Sequence, residues 1–204
     1  MYKTDGKKEN GRGGQSDVLR FSVVVTNRSL VDGSFTEQIR RALALRPESL
    51  ILREKDLADP EYLALAREIS ALCRDAGCGF FFHSRRELAE AAGFDQIHVP
   101  FAAFREDPEA YRSFRRVSVS VHSVEEAVMA GTLGADRVVL GNVFETDCKK
   151  GKPGLGLDVL EEACRRSSIP VYAIGGIDPS NLPDVLSRGA AGGCMMSWFM
   201  KTGA

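Results

Sequence analysis

The sequence predicts an α/β fold of one kind, a (β/α)8 TIM barrel with a short or missing final helix. Three observations carry that reading. Short runs of β-branched and aromatic residues alternate with helical patterns from Phe21 onward. The runs are apolar on both faces, as parallel strands covered by helices must be. The beat repeats eight times, and eight such units close a parallel sheet on itself. An open doubly wound sheet is the alternative, but no G-x-G-x-x-G follows the first strand to support it.

Taken in order, F-S-V-V-V-T from Phe21 predicts the first strand, with a helix from Ser34, and S-L-I-L-R-E from Ser49 the second, with a helix from Pro60. Residues 79–83 predict the third strand and Ser84 its helix; residues 96–99 the fourth, followed by a weak helix near Pro108. Residues 117–121 precede a helix from Ser123, and residues 137–140 run into a long polar loop before a helix near Leu157. Residues 171–174 precede a helix from Pro179, and residues 193–196 are the last strand. Three helix starts read as S-x-x-E capping boxes, at Ser34 to Glu37, Ser84 to Glu87 and Ser123 to Glu126. Asp178 followed by Pro179 reads as an N-cap with proline at the first helical position. After Met196 only Ser-Trp-Phe-Met-Lys-Thr-Gly-Ala remains, too short for a full eighth helix, so the N-terminal tail or a partner subunit is expected to cover part of the wall.

Residues 1–19 hold few apolar groups and several glycines, which predicts a flexible tail ahead of a single barrel domain over residues 20–204. With 44% apolar content in 204 residues, the chain can bury a full core. Its 27 basic and 28 acidic side chains leave no excess of the kind that binds nucleic acid, and no acidic tail. The longest apolar runs are too short for a bilayer and the N-terminus has no apolar signal core, so no membrane partner and a cytoplasmic location are expected. The five cysteines are odd in number and include no C-x-x-C pair, which argues against a disulfide framework or a zinc site.

In such a barrel the working residues stand where strands end. Gly175 and Gly176 in A-I-G-G-I, with Gly192, Gly193 and Ser197 at the final strand, are suited to present backbone N–H groups to a phosphate. Arg53 and Lys55, two apart at the end of the second strand, share a direction and fit either a carboxylate or second phosphate, or a salt link with Glu54 or Asp56. The stretch V-V-L-G-N-V-F-E-T-D-C-K-K runs a buried strand into a polar loop holding Thr146, Lys149 and Lys150. Ser120 and His122 close the fifth strand and His83 the third. Either imidazole could move a proton near neutral pH or serve as a structural hydrogen-bonded histidine. His98 is the weakest candidate, because Pro100-Phe-Ala-Ala beyond it supplies no polar company.

Together, L-R-E-K at residues 52–55, S-V-H-S-V-E-E-A at 120–127, G-A-D at 134–136, G-N-V-F-E-T-D-C-K-K-G at 141–151 and A-I-G-G-I at 173–177 resemble the thiamine phosphate synthase superfamily. The V-F-E-T-D-C-K-K-G wording resembles its TenI branch, the thiazole tautomerases. That resemblance implies isomerisation of a carboxythiazole phosphate by proton transfer, with no metal or redox cofactor. It implies that Gly176, Ser197 and Trp198 hold the phosphate through backbone groups and that Arg53 and Lys55 hold the carboxylate. The branch has a catalytic histidine before V-F-E-T, where this chain has Asn142, so His122 or His83 is expected to replace the base, with Asn142 as a positioning donor. The synthases have N-D-R after the third strand and an acidic G-Q-D/E-D after the fourth; this chain has His83-Ser84-Arg85 and Pro100-Phe101-Ala102-Ala103. A divergent synthase joining a pyrimidine pyrophosphate to a thiazole phosphate, with Mg2+, is the alternative. A silent thiazole phosphate-binding regulator is another, and a homodimer is a possible assembly.

Overall fold

Alternation along each strand builds this barrel. On β5 (Arg116–Val121), Val117, Val119 and Val121 face outward to the helices while Ser118 and Ser120 face the interior, the period-two pattern of any strand. The computed structural model describes residues 17–146 and 153–201, so the expected tail up to Ser16, and Cys148, Lys149 and Lys150, lie outside the described residues. Its strands are β1 (Ser22–Val25), β2 (Ser49–Leu52), β3 (Gly79–His83), β4 (Gln96–Pro100), β5, β6 (Arg137–Gly141), β7 (Val171–Ile174) and β8 (Gly192–Met195). Each pairs in parallel with the next, and β8 closes on β1, with Val23 opposite Cys194. This is a (β/α)8 TIM barrel.

Two apolar regions hold it together. The larger lies between strands and helices and includes Leu50, Leu52, Phe82, Ile97 and Leu140. The smaller fills the barrel interior with Val23, Val25, Ile51, Phe81, Val139, Tyr172 and Cys194. Beside it the interior also buries Ser49, His98, Ser118 and Arg137, so β2, β4, β5 and β6 are less uniformly apolar than expected.

The helices are α1 (Phe35–Ala44), α2 (Asp59–Asp75), α3 (Arg86–Ala91), α4 (Phe101–Glu106), α5 (Val124–Thr132), α6 (Leu157–Arg166), α7 (Leu182–Ser187) and α8 (Ser197–Lys201). Ser34 and Ser123 cap α1 and α5 by accepting from the Glu37 and Glu126 amides at 3.3 and 3.2 Å. Ser84 does not cap α3. Its amide donates to His98 O at 2.8 Å, which holds it to the sheet edge, and the chain then turns through left-handed Ser84 and Arg85. Asp178 likewise caps a turn rather than a helix: its carboxylate accepts from the Ser180 amide at 2.7 Å, and α7 starts only at Leu182. The weak helix near Pro108 is a 3-10 turn, Pro108–Tyr111, preceded by the unanticipated α4. The final helix is short, as expected, yet it covers its own part of the wall. Phe199 and Met200 are buried, and Gln38 of α1 donates to Phe199 O at 2.6 Å. Leu19, at the edge of the expected tail, is also buried.

Candidate active site

The carboxyl ends of the strands surround a cavity of about 1200 Å3. Its lining brings together Arg53, Lys55, His83, Ser120, His122, Asn142, Thr146, Gly175, Gly176, Ser197 and Trp198 from the sequence-based set; Lys149 lies outside the described residues.

One wall is the β7 turn. The carbonyls of Ile174 and Gly175 accept from the Val143 and Phe144 amides at 2.8 and 3.1 Å, and Gly176 O accepts from Asn181 Nδ2 at 2.8 Å. A trans peptide points its N–H opposite to its C=O, so the next amides turn away from those partners. The turn needs glycine: Gly175 has φ +103°, and a Cβ there would lie 2.5 Å from Asn142 Cβ. Ser197 and Trp198 open α8 on the same side, with the Trp198 ring edge-on to Phe199 at 4.8 Å.

The opposite wall is basic. Arg53 and Lys55 make no ion pair with Glu54 or Asp56, because those carboxylates pair with Arg28 at 3.4 and 2.6 Å. Thr26 fixes the strand end: its hydroxyl donates to Glu54 at 2.7 Å and accepts from the Arg53 amide at 2.9 Å. Mutual repulsion with Arg53, then partial burial, lowers the Lys55 pKa. Glu54→Ala would orphan the buried Thr26 hydroxyl and remove two acceptors for the Arg28 amide. A loss of about 2–3 kcal/mol, or roughly 4–12 °C in Tm, is expected. Calorimetry showing a Tm within about 1 °C of wild type would contradict this role for the network.

Three histidines stand between the walls. Tyr62 ties the strand ends to α2 by donating to Leu52 O at 2.6 Å and accepting from the His83 amide at 3.0 Å. Burial, helped by Arg53 and Lys55, lowers the His83 pKa to about 4, so this ring is neutral and a poor proton acceptor near pH 7. The unfolded chain binds a proton at His83 below about pH 6.5, but the folded one only near pH 4. Its contribution to stability is therefore full above about pH 6.5 and lost as pH falls through that window. His83→Gln should flatten part of the fall in Tm between pH 6.5 and 4, and parallel curves would contradict the assignment.

His98 corrects the sequence reading. It is buried and lines the cavity, and its polar company comes from the neighbouring strand: Nδ1 is 2.8 Å from Ser118 Oγ and Nε2 is 2.6 Å from Ser120 Oγ. Its ring lies 5.8 Å from that of His83, centroid to centroid. Burial, then His83, holds its pKa well below the ordinary value. His122 differs. Its ring is exposed at the cavity, and Nδ1 lies 2.6 Å from Gly141 O, so Nδ1 donates to that carbonyl and, in the neutral ring, the lone pair is on Nε2. Asn142 is buried beside it and donates from Nδ2 to Phe144 O at 3.2 Å.

A family model described as thiamine monophosphate synthase matches residues 22–199. The chain belongs to this family. A thiamine-phosphate synthase of Methanocella arvoryzae is 37% identical over 182 residues, covering 85% of this chain and 84% of that protein. A putative thiamine-phosphate synthase 2 of Aquifex aeolicus is 31% identical over 180 residues, covering 87% and 96%. Among solved structures, a thiamine phosphate pyrophosphorylase from Pyrococcus furiosus superposes with a TM-score of 0.76 at 28% identity, covering 93% and 91%.

Membership of the thiamine monophosphate synthase family makes magnesium a question for the donor set. The ends of β3 and β4 offer Ser84 and Pro100 to Ala103, none with a carboxylate. Among the described residues the carboxylates that line the cavity are Glu145 and Asp178, and Asp178 already accepts from the Ser180 amide. Among the described residues no group of three or more His, Cys, Asp or Glu side chains could hold a metal ion. A hard divalent cation bound through substrate phosphates wants one or two carboxylates, and the ends of β3 and β4 supply none. No helix among the described residues is long and apolar enough to cross a membrane.

Proposed function

We propose that this member of the family is a thiazole tautomerase acting on a carboxythiazole phosphate. The observation that carries the reading is His122, whose Nδ1–H is held by Gly141 O at 2.6 Å while Nε2 remains available at the cavity. Nε2 takes the proton from the ring carbon that bears the carboxylate. The cation formed keeps its Nδ1–H bond to the Gly141 carbonyl, and a proton is returned to the exocyclic carbon as the ring becomes aromatic. Nothing is oxidised or reduced, and no atom is lost. Arg53 and Lys55 hold the carboxylate, the Gly175–Gly176 turn with Ser197 and Trp198 holds the phosphate, and Ser120, Asn142 and Thr146 line the space between.

A second reading, coupling of a pyrimidine pyrophosphate to a thiazole phosphate, is supported by the names of the relatives. The lack of a carboxylate at the ends of β3 and β4 weighs against it. Proton NMR of the purified protein with the unrearranged carboxythiazole phosphate in D2O separates the two. Faster aromatisation than the no-enzyme control, with deuterium entering the product, supports the tautomerase. No acceleration, with magnesium-dependent pyrophosphate release from the coupling substrates, would replace it with the synthase.

A further inference from the structure

Arg137 is a buried guanidinium at the amino end of the barrel, far along the strands from the catalytic mouth. It is 4% exposed, with its guanidinium carbon 3.8 Å from the Phe81 ring centroid and 4.8 Å from that of Tyr172. Its Nη1 donates to Ser49 Oγ at 3.0 Å and to Glu48 at 3.3 Å. Its Nε donates to Ser118 Oγ at 3.1 Å. Rings and donors together clamp the group in one orientation, so the direction of the Nε–H bond is fixed.

Proton counting then runs up the barrel interior. A guanidinium has donors and no acceptor, so Ser118 Oγ must accept from Arg137. Ser118 is fully buried, and among the described residues the one acceptor within reach of its own proton is His98 Nδ1, at 2.8 Å. If His98 carried its proton on Nδ1 instead, the Ser118 proton would be buried without a partner, which costs about 1–3 kcal/mol. A neutral imidazole has a single N–H, so with Nδ1 accepting, the proton sits on Nε2 and is donated to Ser120 Oγ at 2.6 Å. The Ser120 hydroxyl accepts with one of its two lone pairs and keeps its proton free to donate into the cavity that it lines.

We propose that Arg137 is a positioning residue: through Ser118 it fixes His98 as the Nε2–H tautomer, which makes the Ser120 hydroxyl a donor aimed at an acceptor atom of the ligand. The role at the ligand rests on the cavity being the substrate site, but the tautomer does not. The device lets Ser120 donate to a ligand that presents a ring nitrogen or an anionic oxygen, which the other tautomer would prevent by accepting the Ser120 hydrogen bond at Nε2.

The test is a long-range proton–nitrogen correlation spectrum of protein carrying 15N-labelled histidine, near pH 7 and without ligand, with His98→Phe used to assign the signals. Wild type should show His98 as one tautomer, bare at Nδ1 and protonated at Nε2. Ser118→Ala and Arg137→Met should each give comparable amounts of both tautomers, and Ser118→Thr, which keeps a hydroxyl, should restore the single form. A wild-type His98 protonated at Nδ1 would overturn the proposal. So would a tautomer unmoved in Ser118→Ala, and one unmoved in Arg137→Met would overturn the role of Arg137. If Arg137→Met fails to fold, the Ser118→Ala and Ser118→Thr pair decides whether this wiring exists. Because the spectrum needs no turnover, an inactive protein with the expected tautomer would reject the tautomerase reading and leave the wiring intact.

Discussion

His122→Ala should lower kcat for thiazole aromatisation by about 10²–10⁴-fold, the usual contribution of a positioned general base. The KM should stay within about twofold, because the proposed anchors of the ligand are elsewhere, at Arg53, Lys55 and the β7 turn. Under the proposed reaction, elimination as well as placement points to His122 as the base. His83 is held neutral with a pKa of about 4, and His98 spends both ring nitrogens on serine hydroxyls. Only His122 pairs an Nδ1 anchor with an exposed position on the cavity. Single-turnover rates in D2O would read the chemical step directly. A kcat within about threefold of wild type would remove His122 from the mechanism, since one positioned base contributes far more than that.

The architecture was legible because each strand run was short, apolar and separated from the next by a helical pattern, and these features act locally. Ser34 and Ser123 could be read as caps for the same reason, since a cap needs only the residues three places on. Ser84 and Asp178 carried the same local signature and failed it. At Ser84 the β4 carbonyl of His98 competes for the amide, a partner that no window of sequence contains.

The site was legible where it follows from strand ends. It was not legible where it depends on which face a strand turns inward. His98 reads as the weakest candidate because its chain neighbours are apolar, yet its partners, Ser118 and Ser120, stand on the adjoining strand, paired His98 with Ser118 and Pro100 with Ser120. A signal was present: Val117-Ser118-Val119-Ser120-Val121-His122 alternates strictly, which marks one face of β5 as polar and inward in a closed barrel. Arg137 gave no such signal. A charged residue that opens a strand reads as solvated, and only closure of the barrel puts Phe81 and Tyr172 against it. The alternatives for Arg53 and Lys55 could not be separated either, because Arg28, which takes Glu54 and Asp56, lies in the loop after β1.

Gly175→Ala should act on fold and proposed ligand binding together. At φ +103° an L-residue is strained, and the added Cβ would sit 2.5 Å from Asn142 Cβ and 2.8 Å from its Cα. The Cα belongs to the backbone and has no rotamer to give, so the β6 and β7 loops must separate. Backbone strain of roughly 1–3 kcal/mol with a similar cost for the contact predicts a Tm lower by about 4–24 °C. On the proposed function, affinity for the thiazole phosphate should fall more than about tenfold, because the same shift disturbs the turn proposed to hold the phosphate with Ser197. Gly33→Ala separates the two causes. Its φ is +93°, but a Cβ there meets nothing within 4 Å, so it carries the strain without the contact. Equal Tm losses in the two variants would mean that the approach of Gly175 to Asn142 is soft, and that the β6 and β7 loops do not brace each other at the mouth of the barrel.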